Sequence, residues 1–131
     1  MTTNTTNNTS ANTTADTHDT FAWDELPEIV ARYLRAHVVQ DYATAVTFLS
    51  EDATVIDDGR ELHGREETLR VFDKSANDYE VATTLISVSR PVDDVWEVST
   101  HLAGNFPGGE VDLRMLFTLV DGVIRKLEIT V

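Results

Sequence analysis

The sequence predicts an α+β domain: three helices first, then a curved, mainly antiparallel sheet that wraps around them. Two observations predict it. Apolar residues recur at helical spacing through the first half, broken by one short hairpin signal at residues 53–63. From residue 79 the period changes to two, in four runs at 79–90, 94–104, 110–120 and 123–131. Helices gathered ahead of a run of strands define an α+β order rather than an alternating α/β one.

Each element has a local reason. Asp24 is the expected N-cap of the first helix, with Pro27 in its first turn. Ile29, Val30, Tyr33, Leu34, His37 and Val38 then share one helical stripe. A second short helix is expected over residues 41–49, burying Tyr42, Ala45, Val46 and Leu49. Residues 53–57 form a short strand, Asp58-Gly59 turns it, and residues 61–63 return. Gly64 ends that hairpin, and residues 65–76 form a third helix with Leu69, Phe72 and Ala76 inward. The last four strands are separated by turn chemistry at Pro91 to Asp94, Asn105 to Gly109 and Asp121-Gly122. Strands this closely spaced form an antiparallel meander.

Composition narrows the function. The chain has 131 residues, 41% of them apolar, which suits one domain with a packed core. Residues 1–20 hold nine Thr and four Asn and no large apolar side chain. They are expected to be a disordered tail, with the domain spanning residues 21–131. The N-x-[ST] matches at Asn4, Asn7, Asn8 and Asn12 are read as accidents of that composition, and His18 gets no role. There are no cysteines, so disulfides and thiolate chemistry are excluded. No apolar run is long enough to span a bilayer, and no leader pattern opens the chain, so a cytoplasmic protein without membrane contact is expected. A net charge of −13 repels phosphate backbones, so nucleic acid is not an expected partner.

Residues 45–67 read AVTFLSEDATVIDDGRELHGREE. The run F-L-x-x-D-A-T-V-x-D followed by H-G-R-E resembles the nuclear transport factor 2-like superfamily, which includes SnoaL-like polyketide cyclases and ketosteroid isomerases. The likeness covers about residues 24–131 and implies a cone-shaped (cystatin-like) roll around an apolar pocket. It also implies a homodimer through the outer sheet face. The segment ARYLRAHVVQDYATAVTFLSEDATVID resembles the first-helix-to-first-strand segment of the bacterial ketosteroid isomerases without a gap. That likeness puts their oxyanion tyrosine on Tyr33 and their general-base aspartate on Asp57. It puts Met115 where they carry a second aspartate. Asp112, three residues away, falls on the opposite strand face.

Strand phase selects the side chains that share a pocket. Ala53, Val55 and Asp57 lie on one face of their strand. Val111, Leu113, Met115, Phe117 and Leu119 form an unbroken apolar face, taken as the inner wall. Trp96, Val98, Thr100 and Leu102 join it, as do Leu127, Ile129 and Val131. The expected ligand contacts are Trp96, Val98, Leu113, Met115, Phe117 and Ile129.

Asp57 ends an apolar strand face, where poor solvation would raise its pKa and suit it to take a proton from carbon beside a carbonyl. Alternatively it opens the Asp58-Gly59 turn and is solvated. Tyr33 is an oxyanion donor or a core tyrosine. His37, four residues on and on the same helix face, is a pocket acid/base or a boundary histidine. His63 and Arg65 flank Gly64 and are read as structural, and His101 faces outward. The histidines lack ligand spacing, so neither metal nor other cofactor is expected.

Three functions remain open. One is a cofactor-free isomerase, cyclase or dehydratase acting on a small apolar carbonyl compound through Asp57, Tyr33 and His37. The second is a non-catalytic module that binds a small apolar ligand or assembles as a dimer. The third is an interaction protein whose pocket is filled by Trp96, Met115 and Phe117, leaving no cavity above about 100 Å³.

Overall fold

The computed structural model describes residues 21–131; the expected tail, its N-x-[ST] matches and His18 lie outside the described residues. The helices begin later than the capping pattern suggests. A 3-10 turn at Trp23–Glu25 comes first, and α1 (Glu28–Val38) then opens with Pro27 as its N-cap. Asp24 sits inside the 3-10 turn and does not cap α1. The cause is Pro27, which holds Leu26 extended at φ −95° and ψ 144° and so keeps the turn and the helix from merging.

The second helix is shorter than expected. The Asp41 carboxylate caps α2 (Tyr42–Ala45) by accepting from the Thr44 N–H at 3.3 Å. The chain then tightens into a 3-10 turn at Val46–Phe48, and Leu49 already belongs to β1 (Leu49–Asp57). Asp58 and Gly59 both have positive φ, 52° and 84°, giving the hairpin turn that matches strand twist. They lead into β2 (Arg60–His63). α3 (Gly64–Asp78) starts at once. The Glu67 carboxylate accepts from the His63 N–H at 2.6 Å. Arg65 donates to the Leu49 carbonyl at 2.8 and 3.0 Å and to the Thr47 carbonyl at 3.3 Å. The H-G-R-E run is therefore a strand end and helix start, with Arg65 tying α3 to the beginning of β1.

The last four strands are β3 (Val81–Val92), β4 (Val95–Gly104), β5 (Glu110–Val120) and β6 (Val123–Thr130). One six-stranded sheet results, in the order β2-β1-β6-β5-β4-β3. β1 and β6 run parallel, and every other pair is antiparallel. Register shifts fall between Leu49 and Thr54, between Leu85 and Ser87, between Ser89 and Val92, and between Thr118 and Leu119. Bulges of this kind bend a sheet, and here they curl it around the helices.

The core lies between the concave sheet face and α1. Tyr33, Leu34, Val98, Phe117, Ile124 and Leu127 are all fully buried. The alternation predicted this face on β4 and β5. On β6 the bulge beside Arg125 brings Ile124 inward as well. Val131 departs from expectation: it follows the strand end and is 69% exposed. Gly104 passes so close to the start of β3 that an added Cβ would sit 2.1 Å from the Glu80 carbonyl oxygen. Among the described residues, no helix is long and apolar enough to cross a membrane.

Candidate functional site

A cavity of about 170 Å³ lies at one end of the sheet's concave face. α3 supplies Phe72, Ser75 and Ala76, and the sheet supplies Val81, Thr83, Leu102, Leu113 and Ile129. Further polar groups are His37 from the last turn of α1, Gln40 from the connection into α2, Tyr42 from the start of α2, and Asp57 from the end of β1. The cavity argues against the filled-pocket reading.

Asp57 reaches the cavity because of where its strand ends. It pairs with Ile129 on the parallel side and Arg60 on the hairpin side. It therefore belongs to the sheet, and the solvated turn residue is Asp58. Burial raises the Asp57 carboxyl pKa; Arg60 draws it back down and Asp58 pushes it up.

His37 and Tyr33 form a pair. The Tyr33 hydroxyl lies 3.0 Å from His37 Nδ1, one helical turn away. Tyr33 has no exposed surface, and its ring packs edge-on against Phe117 at 5.5 Å. Burial holds the phenol pKa well above its usual value, so the hydroxyl is a neutral donor. Burial lowers the His37 pKa to about 4, so its ring is neutral at pH 7. Were His37 Nδ1–H the donor, the buried Tyr33 hydroxyl hydrogen would need another acceptor, and an unmet one costs about 1–3 kcal/mol. Tyr33 O–H therefore donates to Nδ1, which leaves the ring proton on Nε2. His37 is a neutral hydrogen-bond donor through Nε2–H.

Of the two readings of Tyr33, oxyanion donor or core tyrosine, the structure gives a fully buried side chain outside the cavity's lining. His37, one turn further along α1, stands in that lining, and the Tyr33 hydroxyl is spent on it. Of the six expected ligand contacts, Leu113 and Ile129 line the cavity. Val98, Met115 and Phe117 are on the expected face but are fully packed in the core. Trp96 lies toward the far end, beneath Arg90 at 4.5 Å, in a groove with Leu26 and Pro27. Phase selects a face, but the helices cover the middle of that face, and the cavity lies at its open end.

The way the wall is assembled escaped sequence reasoning, and so did Gln40. His37, Tyr42 and Phe72 pack edge to face, with ring centroids 5.2, 5.8 and 5.3 Å apart. The inward positions of Tyr42 and Phe72 were legible, but their meeting with His37 was not. Gln40 arrives through a left-handed backbone, φ 60°, which no periodicity signals. On the outer face His101 bonds Asp112 at 2.6 Å and Glu110 at 2.9 Å. Asp112 thus points away from the cavity, as its strand phase requires.

Neither a protein-family model nor a curated protein matches the chain. Solved structures do. A Sinorhizobium meliloti protein provisionally named a polyketide cyclase is 29% identical, with a TM-score of 0.77, covering 84% of this chain and all (100%) of that one. A Catenulispora acidiphila protein with a ketosteroid isomerase-like fold, solved with trimethylamine, is 20% identical with a TM-score of 0.69, covering 80% of this chain and 85% of that one. A Novosphingobium aromaticivorans cystatin-fold protein is 14% identical with a TM-score of 0.68, covering 79% of this chain and 96% of that one. The fold is that of these proteins, and the likenesses support a place for the chain in the nuclear transport factor 2-like, SnoaL-like superfamily.

Proposed function

We propose that the protein is a cofactor-free acid/base enzyme that isomerises, cyclises or dehydrates a small carbonyl compound through its enol. The supporting observation is a single cavity lined by both a carboxylate, Asp57, and a neutral donor, His37. The Asp57 carboxylate removes a proton from carbon beside the carbonyl. The C–H electrons become the C=C bond, and the carbonyl oxygen takes the negative charge. His37 Nε2–H donates to that oxygen. Asp57, now a carboxylic acid, returns the proton to a different carbon in an isomerisation, or to a leaving oxygen in a dehydration. In a cyclisation the enolate carbon bonds to a second carbonyl carbon of the same molecule, whose C=O electrons move to its oxygen, and Asp57 protonates that alkoxide. Tyr33 acts through His37 as a positioning residue.

The test follows hydrogen–deuterium exchange at the α-carbon of a ketone in heavy water. Tyr33→Phe keeps the ring and removes the donor to Nδ1. It is expected to lower kcat about 10-fold with little change in KM. Nitrogen chemical shifts of His37 should pass from a pure Nε2–H form to a mixture. An unchanged tautomer in Tyr33→Phe would remove the positioning role, and absence of exchange in the wild type would remove the enzyme.

The non-catalytic reading keeps one point in its favour: Met115, a core residue, falls by the sequence likeness where the ketosteroid isomerases carry their second aspartate. It predicts binding without exchange.

We also propose a homodimer through the outer sheet face. That face carries Leu116 and exposed Ile86 and Val120 beside Arg114, Glu110 and Asp112. A two-fold contact could set Arg114 against the partner's carboxylates around an apolar centre. Light scattering at micromolar concentration should give twice the chain mass; a monomer there would sink the idea.

A further inference from the structure

We propose that the cavity selects a compact, uncharged carbonyl compound of about one ring and rejects carboxylates, phosphates, alkylammonium ions and fused-ring steroids. This rests on the acid/base reading of the same site, and three observations carry it.

The first is size. A cavity of about 170 Å³ is close to the ~150 Å³ void that accommodates benzene in an engineered core. The interior offers no extension: behind Leu113 and Ile129 the same sheet face is closed by Val98, Met115 and Phe117, all buried. The opposite wall is equally fixed, because His37, Tyr42 and Phe72 brace one another edge to face. A second or third fused ring would have to leave through the mouth, past exposed Ser75 and Tyr79.

The second is charge. Among the described residues no Lys or Arg lines the cavity, and its one carboxylate is Asp57, in a chain of net charge −13. A ligand carboxylate or phosphate would lie beside a carboxylate with no cation in the lining to meet it, since Arg60 acts on Asp57 from outside the lining.

The third is the donor. His37 Nε2–H asks for an acceptor, and a carbonyl oxygen supplies one. An alkylammonium ion could use the Asp57 charge and the aromatic faces, but it would leave that N–H unpaired. A neutral carbonyl serves both groups: its oxygen meets His37 while the adjacent C–H faces Asp57.

The experiment measures dissociation constants for four probes by calorimetry on the full chain. They are cyclohexenone, cyclohexenecarboxylate, cyclohexyltrimethylammonium and androstenedione. Cyclohexenone is expected to bind at least ~10-fold more tightly than each of the others and to shift the His37 Nε2 resonance. Ala76→Phe, which fills the cavity from α3, should weaken cyclohexenone at least ~10-fold. Thr83→Phe fills it from the sheet and serves if the first variant does not fold. Equal or tighter binding of the carboxylate, the ammonium or the steroid overturns the proposal, as does no binding of cyclohexenone. Undiminished binding in a folded, filled variant overturns it too. Exchange of the cyclohexenone α-protons is read separately. The expected binding order without exchange supports this ligand class while removing the acid/base reading.

Discussion

Replacing Asp57 by asparagine is expected to cut α-carbon exchange at least ~100-fold, because asparagine keeps the shape and hydrogen-bonding reach of the side chain but cannot accept the proton. The wild-type rate should rise with pH as Asp57 ionises, with a midpoint above the ordinary aspartate value of about 3.9. Burial sets that direction, against the pull of Arg60. His37 gives no opposing limb near neutrality, since its ring is neutral above about pH 4 and donates without changing protonation. The stability of the variant should move the other way. The folded-state pKa of Asp57 lies above its unfolded value. Above that pKa the native state therefore holds a poorly solvated charge that the unfolded chain hydrates freely. Asparagine removes the penalty, so its thermal midpoint at pH 7 should equal or exceed that of the wild type. The difference should vanish below pH 3, where both states bind the proton. Lost activity with an unchanged or raised midpoint assigns Asp57 to the chemistry. An unchanged exchange rate would show that another group moves the proton.

How far the molecule could be read in advance depends on the range of the forces involved. The α+β order and the strand phase were legible because they follow from the spacing of apolar residues along the chain. Asp58-Gly59 was legible because two left-handed residues in a row need this chemistry. The start of α1 was misjudged by a few residues: a good capping side chain at Asp24 competed with the extended backbone that Pro27 imposes on Leu26, and the proline won. Val131 kept the inward phase of β6 on paper, but the strand stops at Thr130. The position of the hollow within the inner face was out of reach. Whether Phe117 or Leu113 borders empty space depends on how far α1 and α3 extend over the sheet. That is a tertiary property with no periodic signature. The partnership of Tyr33 with His37 was half legible. Their spacing of four residues predicted adjacency, but which of them faces the cavity is decided by the packing of Phe117 against Tyr33.

The packing of Phe117 therefore carries both stability and site geometry, and Phe117→Ala is expected to destabilise the fold by about 3–5 kcal/mol. The ring is fully buried in the second half of β5. Its neighbours in the sheet, Trp96 on β4 and Leu127 on β6, are held by backbone pairing and cannot collapse freely into the space it leaves. Truncation therefore costs both the transfer of an aromatic ring and the cavity that remains. Urea unfolding should show the loss as a lower midpoint at similar slope. Trp96→Ala is the informative comparison, since strand phase grouped the two residues together. Trp96 is only half-buried, with its ring under Arg90 near the surface, so its loss should cost clearly less. A second consequence separates packing from simple destabilisation. Without Phe117 the Tyr33 ring loses its edge-to-face support, and its hydroxyl should hold His37 Nδ1 less firmly. Under conditions where Phe117→Ala is still folded, the His37 nitrogen shifts should move toward the mixed tautomer expected of Tyr33→Phe. In folded Trp96→Ala they should not. A cost below about 1 kcal/mol for Phe117→Ala, or equal costs for the two variants, would contradict the arrangement of this core.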